Sequence, residues 1–210
     1  MAFVVFEGLD GAGKSTLISE LYKSLGQFSI IPESVQDPGT TPLGEELRKM
    51  ILSSGENAPG PKAELLMYQA ARAEMVRKKI LPAIKEKKWV FSDRFYSSTI
   101  AFQVSARGLN REIVDSLNAY VSEGCSPDLF IFIDIPIEER NKRLNKRSQE
   151  KGEALDRMEL EAEEFQRKVR QGYLSQAEES PEKWLVLDGT FSPQQLVEKV
   201  MTEFKTRQWI

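Results

Sequence analysis

The sequence predicts an α/β fold in which five short strands form one parallel sheet with helices on both faces. Three observations carry that prediction. The apolar runs are near-continuous rather than alternating, as in strands buried on both sides. Segments with helical apolar spacing separate them, as parallel crossovers require. A glycine-rich turn also joins the first strand to the first helix, the arrangement that places ligands beyond the carboxyl ends of parallel strands.

The elements follow in order. Ala2 to Phe6 is a short apolar run suited to a buried strand, and Ser15 to Leu25 carries Leu17, Ile18, Leu21 and Leu25 at helical spacing. Ile30-Ile31 starts a weak second strand, followed by the turn-rich loop from Asp37 to Pro42. Gly44 to Leu52 reads as a helix with Leu47, Met50 and Ile51 on one face. A loop with Gly55, Pro59 and Gly60 leads to a long helix from Lys62, which Pro82 is expected to kink or interrupt near Ile80. Trp89 to Phe91 is the third strand, ending at Asp93-Arg94. Helices follow at about Phe95 to Ala106 and Arg111 to Ser122, the second with Asn110 as N-cap and Gly124 as terminator. Leu129 to Ile135 is the fourth strand. Helices at Glu138 to about Arg147 and about Glu159 to Glu179 precede a last strand, Trp184 to Leu187, and a final helix capped by Ser192.

Composition narrows the chemistry. At 210 residues, 40% hydrophobic and 29% charged, the chain suits one soluble domain covering 1–210. A net charge of −3 gives no basic field for nucleic acid, and no apolar run is long enough to span a membrane. The opening from Met1 to Phe6 lacks the basic flank of a secretory leader, and a lone Cys125 suits a reducing cytoplasm. The absence of histidine excludes Ser-His-Asp and Cys-His catalysis, and leaves no soft-metal site. Any metal is expected to be hard and oxygen-bound, as is Mg²⁺ carried by a nucleotide.

The most specific motif is G-x-x-x-x-G-K-S at Gly8, Gly13, Lys14 and Ser15, between a strand and a helix. The segment Gly8, Leu9, Asp10, Gly11, Ala12, Gly13, Lys14, Ser15 and Thr16 is expected to turn backbone N–H groups toward the phosphates of ATP. Lys14 would reach the β- and γ-phosphates and Ser15 would ligate Mg²⁺. Two Asn-Lys pairs, at Asn141 and Asn145, lack the aspartate of a guanine-reading N-K-x-D element, and no strand ends in the acidic pair of a motor ATPase. Asp93-Arg94 after a buried strand favours a small-molecule kinase, with Arg94 on an acceptor phosphate and Asp93 on Mg²⁺-bound water.

Five segments in order then resemble the thymidylate kinase family. They are Glu7 to Ser15; Asp37-Pro38-Gly39 with Glu46-Leu47-Arg48; Leu66 to Arg72; Ser92 to Phe95 through Ala101-Phe102-Gln103; and Leu155-Asp156-Arg157. The resemblance covers essentially the whole chain. It implies a P-loop nucleoside-monophosphate-kinase-like three-layer fold with a short lid at about 140–157, a homodimer, and transfer of the ATP γ-phosphoryl group to dTMP. It also implies roles by residue. Asp10 would read the deoxyribose 3′-hydroxyl, and Tyr68 would stack on thymine. Arg72 would donate to O4 and Gln103 would recognise N3, with Ser98 and Thr99 nearby. Phe102 would crowd the sugar 2′ side, while Arg48 and Arg94, beside Asp37, hold the dTMP phosphate. Some relatives carry a basic residue where Gly11 stands. The small residue here makes Arg143, Arg147 and Lys151 of the lid candidates for neutralising the transferring phosphoryl group. Glu150, Glu153 and Glu159 are alternative partners for those cations. Gln36 replaces an arginine common before Asp-Pro-Gly, and a neutral amide does not reproduce a guanidinium fork. Two rivals stand beside this reading: a deoxynucleoside kinase using Glu7 as a base, and a regulatory protein with a degenerate acceptor site.

Overall fold

The computed structural model describes residues 1–152 and 154–210, with the side chain of Lys151 left out; Glu153 lies outside the described residues. Five parallel strands, β1 (Phe3–Gly8), β2 (Glu33–Gln36), β3 (Val90–Asp93), β4 (Leu129–Asp134) and β5 (Trp184–Asp188), form one sheet in the order β2-β3-β1-β4-β5. The helices are α1 (Lys14–Gly26), α2 (Pro42–Leu52), α3 (Pro61–Met75), α4 (Leu81–Lys85), α5 (Tyr96–Thr99), α6 (Arg111–Ser122), α7 (Ile137–Lys151), α8 (Glu163–Glu179) and α9 (Pro193–Thr206).

Pleating sends alternate residues of β1 to opposite faces. Val4 and Phe6 pack with Leu17, Leu21 and Leu25 of α1 and Val200 and Phe204 of α9. Phe3 and Val5 pack with Met75, Val76 and Ile80 on the other side. Since both faces are covered, all six β1 residues are buried, with Phe3 to Phe6 apolar and Glu7 the one charged member.

Several boundaries differ from the sequence expectations. The second strand is Glu33–Gln36 rather than Ile30-Ile31, because Pro32 has no N–H for a ladder and pairing begins where the Glu33 N–H reaches the Trp89 carbonyl. Ile31 is left exposed. The α-helix is interrupted ahead of Pro82, as expected. A π-turn at Val76–Ile80 shifts the hydrogen-bond register just before it, and α4 continues beyond. A second π-turn, Ile100–Ala106, follows α5 and bulges toward α8, where a Cβ on Gly172 would meet the Ser105 hydroxyl at 2.5 Å. The lid helix runs to Lys151, and α8 starts at Glu163, since 157–160 form a turn whose N–H groups donate to Asp156. Asn110 does cap α6, accepting from the Ile113 N–H.

Parallel order leaves the carboxyl ends of all strands on one edge. Gly8, Gln36-Asp37, Asp93-Arg94, Asp134 and Asp188 therefore emerge together. β1, in the middle, delivers the phosphate loop to the centre of that edge.

Candidate active site

The loop between β1 and α1 folds as its glycines require. Gly8, Gly11 and Gly13 have φ of 150°, 83° and 102°, where a side chain is disfavoured. A Cβ on Gly8 would also sit 2.9 Å from the Ile133 carbonyl oxygen. Leu9 and Ala12 lie buried beneath the loop and anchor it to the core. Gly13, the N-cap of α1, has no side chain to cap it, so the first-turn N–H groups suit an anion. Lys14 is buried, and its Nζ donates to the carbonyls of Gly8 at 3.1 Å and Leu9 at 3.3 Å. Burial, with Arg94 nearby, lowers its pKa. Gly11, Gly13, Lys14, Ser15 and Thr16 line a cavity shared with Gln36, Asp93, Arg143 and Arg147.

A second cavity adjoins the first across Asp10, Asp37, Arg48, Arg94 and Asp156, which line both. Its walls bring together Tyr68 and Arg72 from α3, Ser98 and Thr99 from α5, and Phe102 and Gln103 from the π-turn. All ten acceptor-site residues expected from the sequence thus surround one space.

Arg94 stands at its centre with φ 70°, its N–H held by the Phe6 carbonyl as β3 ends. Nη1 donates to Tyr173 at 2.8 Å and Ser98 at 3.3 Å, Nη2 donates to Asp10 at 2.9 Å, and the guanidinium lies over the Phe102 ring at 5.1 Å. Three of its five N–H donors are thereby used, and Nε–H with one Nη2–H are left for a ligand among the described residues. Beneath it, Glu7 is fully buried and accepts from the Phe95 N–H, Ser97, Ser98 and Tyr173. Burial raises its pKa.

Asp10 shows the opposite balance. Burial pushes its carboxyl up, but Arg94 and Lys14 outweigh that and lower its pKa to about 2. A carboxylate whose folded pKa lies below its unfolded 3.8 adds stability above that value and loses it as pH falls toward about 2. Urea unfolding should therefore show a stability gap between wild type and Asp10→Asn that is full near neutral pH and closes toward pH 2. A gap constant over that range would mean that Arg94 and Lys14 do not hold the carboxylate.

Arg72 is fully buried and heavily committed. Nε donates to Asp37 at 2.5 Å, Nη1 to Gln69 at 3.2 Å and Asn118 at 3.1 Å, and Nη2 to the Phe95 carbonyl at 3.4 Å. One Nη2–H is left at the cavity among the described residues. Burial raises the pKa of Asp37 against the pull of Arg72, and its Oδ1 has no hydrogen-bond partner among the described residues. Arg48 donates to the Pro38 carbonyl, so the loop and α2 fix each other.

In the lid, Arg143 spans the phosphate loop and the turn after β5, donating to the Ala12 carbonyl at 3.4 Å and the Gly189 carbonyl at 2.8 Å. Arg147 pairs with Glu159 at 2.6 Å and lines the phosphate cavity. The Lys151 side chain lies outside what is described. Sequence reasoning missed Tyr173 and Glu64, which support the site from behind. Tyr173 had no local signal, whereas Glu64 had one: a carboxylate within an otherwise apolar helical stripe.

With this geometry in place, comparison with known proteins is decisive. The thymidylate kinase family profile matches residues 6–200. The chain belongs to the thymidylate kinase family. A thymidylate kinase of Bdellovibrio bacteriovorus is 39% identical over 208 residues, covering 99% of this chain and 97% of that protein. One from Kosmotoga olearia is 39% identical over 202 residues, and one from a Thermoanaerobacter species 40% over 187, covering 96% and 89% of this chain. Thymidylate kinases of this kind have the P-loop nucleoside-monophosphate-kinase-like fold, which the five-stranded parallel sheet matches. No helix among the described residues is long and apolar enough to cross a membrane.

Proposed function

We propose that this chain transfers the γ-phosphoryl group of ATP to dTMP, giving dTDP and ADP. The observation that carries the reading is the pair of adjoining cavities with Arg94 between them. One is walled by the phosphate loop, the other by an aromatic ring, an amide and a donor-only guanidinium. An acceptor seated in the second cavity presents its phosphate to the two remaining donors of Arg94 and to Arg48. A phosphate oxygen of dTMP then attacks the γ-phosphorus in line as the bond to the β-bridging oxygen breaks, with no covalent enzyme intermediate. Lys14, Arg94, Arg143 and Arg147 neutralise charge on the transferring group. Lid closure excludes water that would otherwise hydrolyse ATP.

Mg²⁺ fits the residues present. Asp93 has a buried Oδ1 with no hydrogen-bond partner among the described residues and lines the same cavity as Ser15. No cluster of three or more acidic, Cys or His residues forms a metal cage among the described residues, which suits an ion brought in by phosphates. Ser15 and Asp93 would hold the ion, which when bound would supply positive charge against the phosphates. The rival reading as a deoxynucleoside kinase loses its base, because the Glu7 carboxylate already accepts four hydrogen bonds. We also propose a cytoplasmic homodimer. Cys125 as a lone free thiol suits a reducing compartment, and exposed Leu66, Ile113 and Tyr120 on the packed helices α3 and α6 offer apolar surface for a second copy.

The test is ADP release with MgATP against dTMP, dUMP, dGMP, dCMP, UMP and thymidine in turn. dTMP is expected to exceed the others in kcat/KM. Turnover with thymidine alone, or with no acceptor, would overturn the reading.

A further inference from the structure

Behind the acceptor cavity lies a carboxylate that the phosphoryl-transfer reading does not use. Glu64, on the first turn of α3, is completely buried. Its Oε1 accepts from the Gln103 amide at 2.9 Å and from Arg107 Nε at 3.2 Å. Its Oε2 accepts from Arg107 Nη2 at 3.1 Å and from Arg157 Nη2 at 2.5 Å. Arg157 also donates to the Ile51 carbonyl, and Arg107 pairs with Glu161 and lies 4.4 Å from the Phe165 ring centroid. The carboxylate is thus pinned by two cations from different elements. Burial would favour its neutral form, but Arg107, Arg157 and Gln103 outweigh this and lower its pKa.

The consequence falls on Gln103. A side-chain amide presents a carbonyl oxygen at one end and an NH₂ at the other, and a half-turn exchanges them. Thymine and uracil offer an N3–H donor beside an O4 acceptor; cytosine offers an N3 acceptor beside a 4-amino donor. An amide able to flip pairs with either edge. An ionised carboxylate is acceptor-only, so Glu64 can bond only the NH₂ end of Gln103. The carbonyl oxygen is then the end available to a base. Arg72 adds the same sign of selection, because its remaining Nη2–H can donate to O4 but cannot accept from an amino group.

We propose that Glu64 is a positioning residue for base choice, which locks the Gln103 amide with its oxygen toward the base and so selects 3-NH pyrimidines over cytosine. Arg157, just beyond the lid helix, holds the same carboxylate and ties the lock to the lid's return strand of chain. The inference rests on the dTMP kinase reading.

The experiment compares kcat/KM for dTMP, dUMP and dCMP in wild type and Glu64→Gln. The neutral amide can give or accept, so Gln103 is released to turn either way. The preference for dTMP over dCMP is expected to fall by roughly tenfold or more, since a site built to pair one edge rejects the other through unpaired polar groups. The dTMP to dUMP ratio is expected to stay unchanged, because both bases present the same N3–H and O4. Equal losses on all three substrates would reduce Glu64 to a structural residue and overturn the inference. Absence of dTMP turnover in the wild type would instead overturn the functional reading. Should Glu64→Gln fail to fold, the wild-type Gln103 amide resonance, identified by its loss in Gln103→Leu, gives a second test. Its NH₂ protons are expected to exchange slowly with solvent, held on the Glu64 carboxylate, with and without dTMP. Rapid solvent exchange in the dTMP complex would show an NH₂ end that Glu64 does not hold and sink the idea.

Discussion

Replacing Arg94 with Met is expected to lower kcat/KM for dTMP by about 10³-fold, roughly 4 kcal/mol of transition-state stabilisation. The size follows from geometry. Asp10, Tyr173 and Ser98 hold the guanidinium, and Phe102 supports its face, so two donors are aimed without further ordering when a phosphate arrives. Preorganised charge in a water-poor site loses far more on deletion than an exposed arginine would. ATP binding is expected to change little, since the proposed contacts to that substrate are Lys14 and the loop amides. Arg94→Lys should recover only part of the loss, because an ammonium cannot form the fork. Steady-state kinetics with dTMP varied at saturating MgATP reads all three values. A kcat/KM within tenfold of wild type would remove Arg94 from the phosphate clamp.

Glu7→Leu is expected to destabilise the fold by about 3–5 kcal/mol. The side chain is fully buried and collects donors from Phe95, Ser97, Ser98 and Tyr173. Leucine has similar bulk but takes the acceptor from the Phe95 N–H and Ser97, leaves Ser98 and Tyr173 only each other, and removes a carboxylate 3.8 Å from Arg94. Glu7→Gln should cost less, since its oxygen still accepts and the hydroxyls of Ser98 and Tyr173 can rotate to meet its NH₂. Urea unfolding at neutral pH measures both. A loss for Glu7→Leu no larger than that of a surface substitution, about 0.5 kcal/mol, would show that the cluster is not what holds β1 to α5 and α8.

Much of the fold and of the site was legible in the sequence, and what was legible was local. The apolar runs of β1 and β4 declare buried strands wherever they sit, because burial on both faces leaves no polar side to mask. The phosphate loop declares itself because the close approach of backbone to phosphate admits little but glycine. Asn110 and Ser192 mark helix starts through bonds to residues three positions on. Where a single residue decided, as Pro32 did for β2 or Pro82 for the α3–α4 run, the sequence located a break and the tertiary structure chose its form. The edge strand moved past the proline, while the helix absorbed it in a π-turn packed against β2.

By itself, then, the sequence determined the strand and helix order, the phosphate loop, and, through resemblance, the residues gathered around the acceptor cavity. Only the tertiary structure decided how those residues are held. Arg94 depends on Tyr173, 79 positions away, and Glu7 depends on the same hydroxyl across 166. Gln103 takes its orientation from Glu64, and Glu64 from Arg157 across 93 positions. The reason is physical. A motif needs only neighbours along the chain, whereas a buried charge must find partners wherever packing brings them, and no periodicity records which distant donor will arrive.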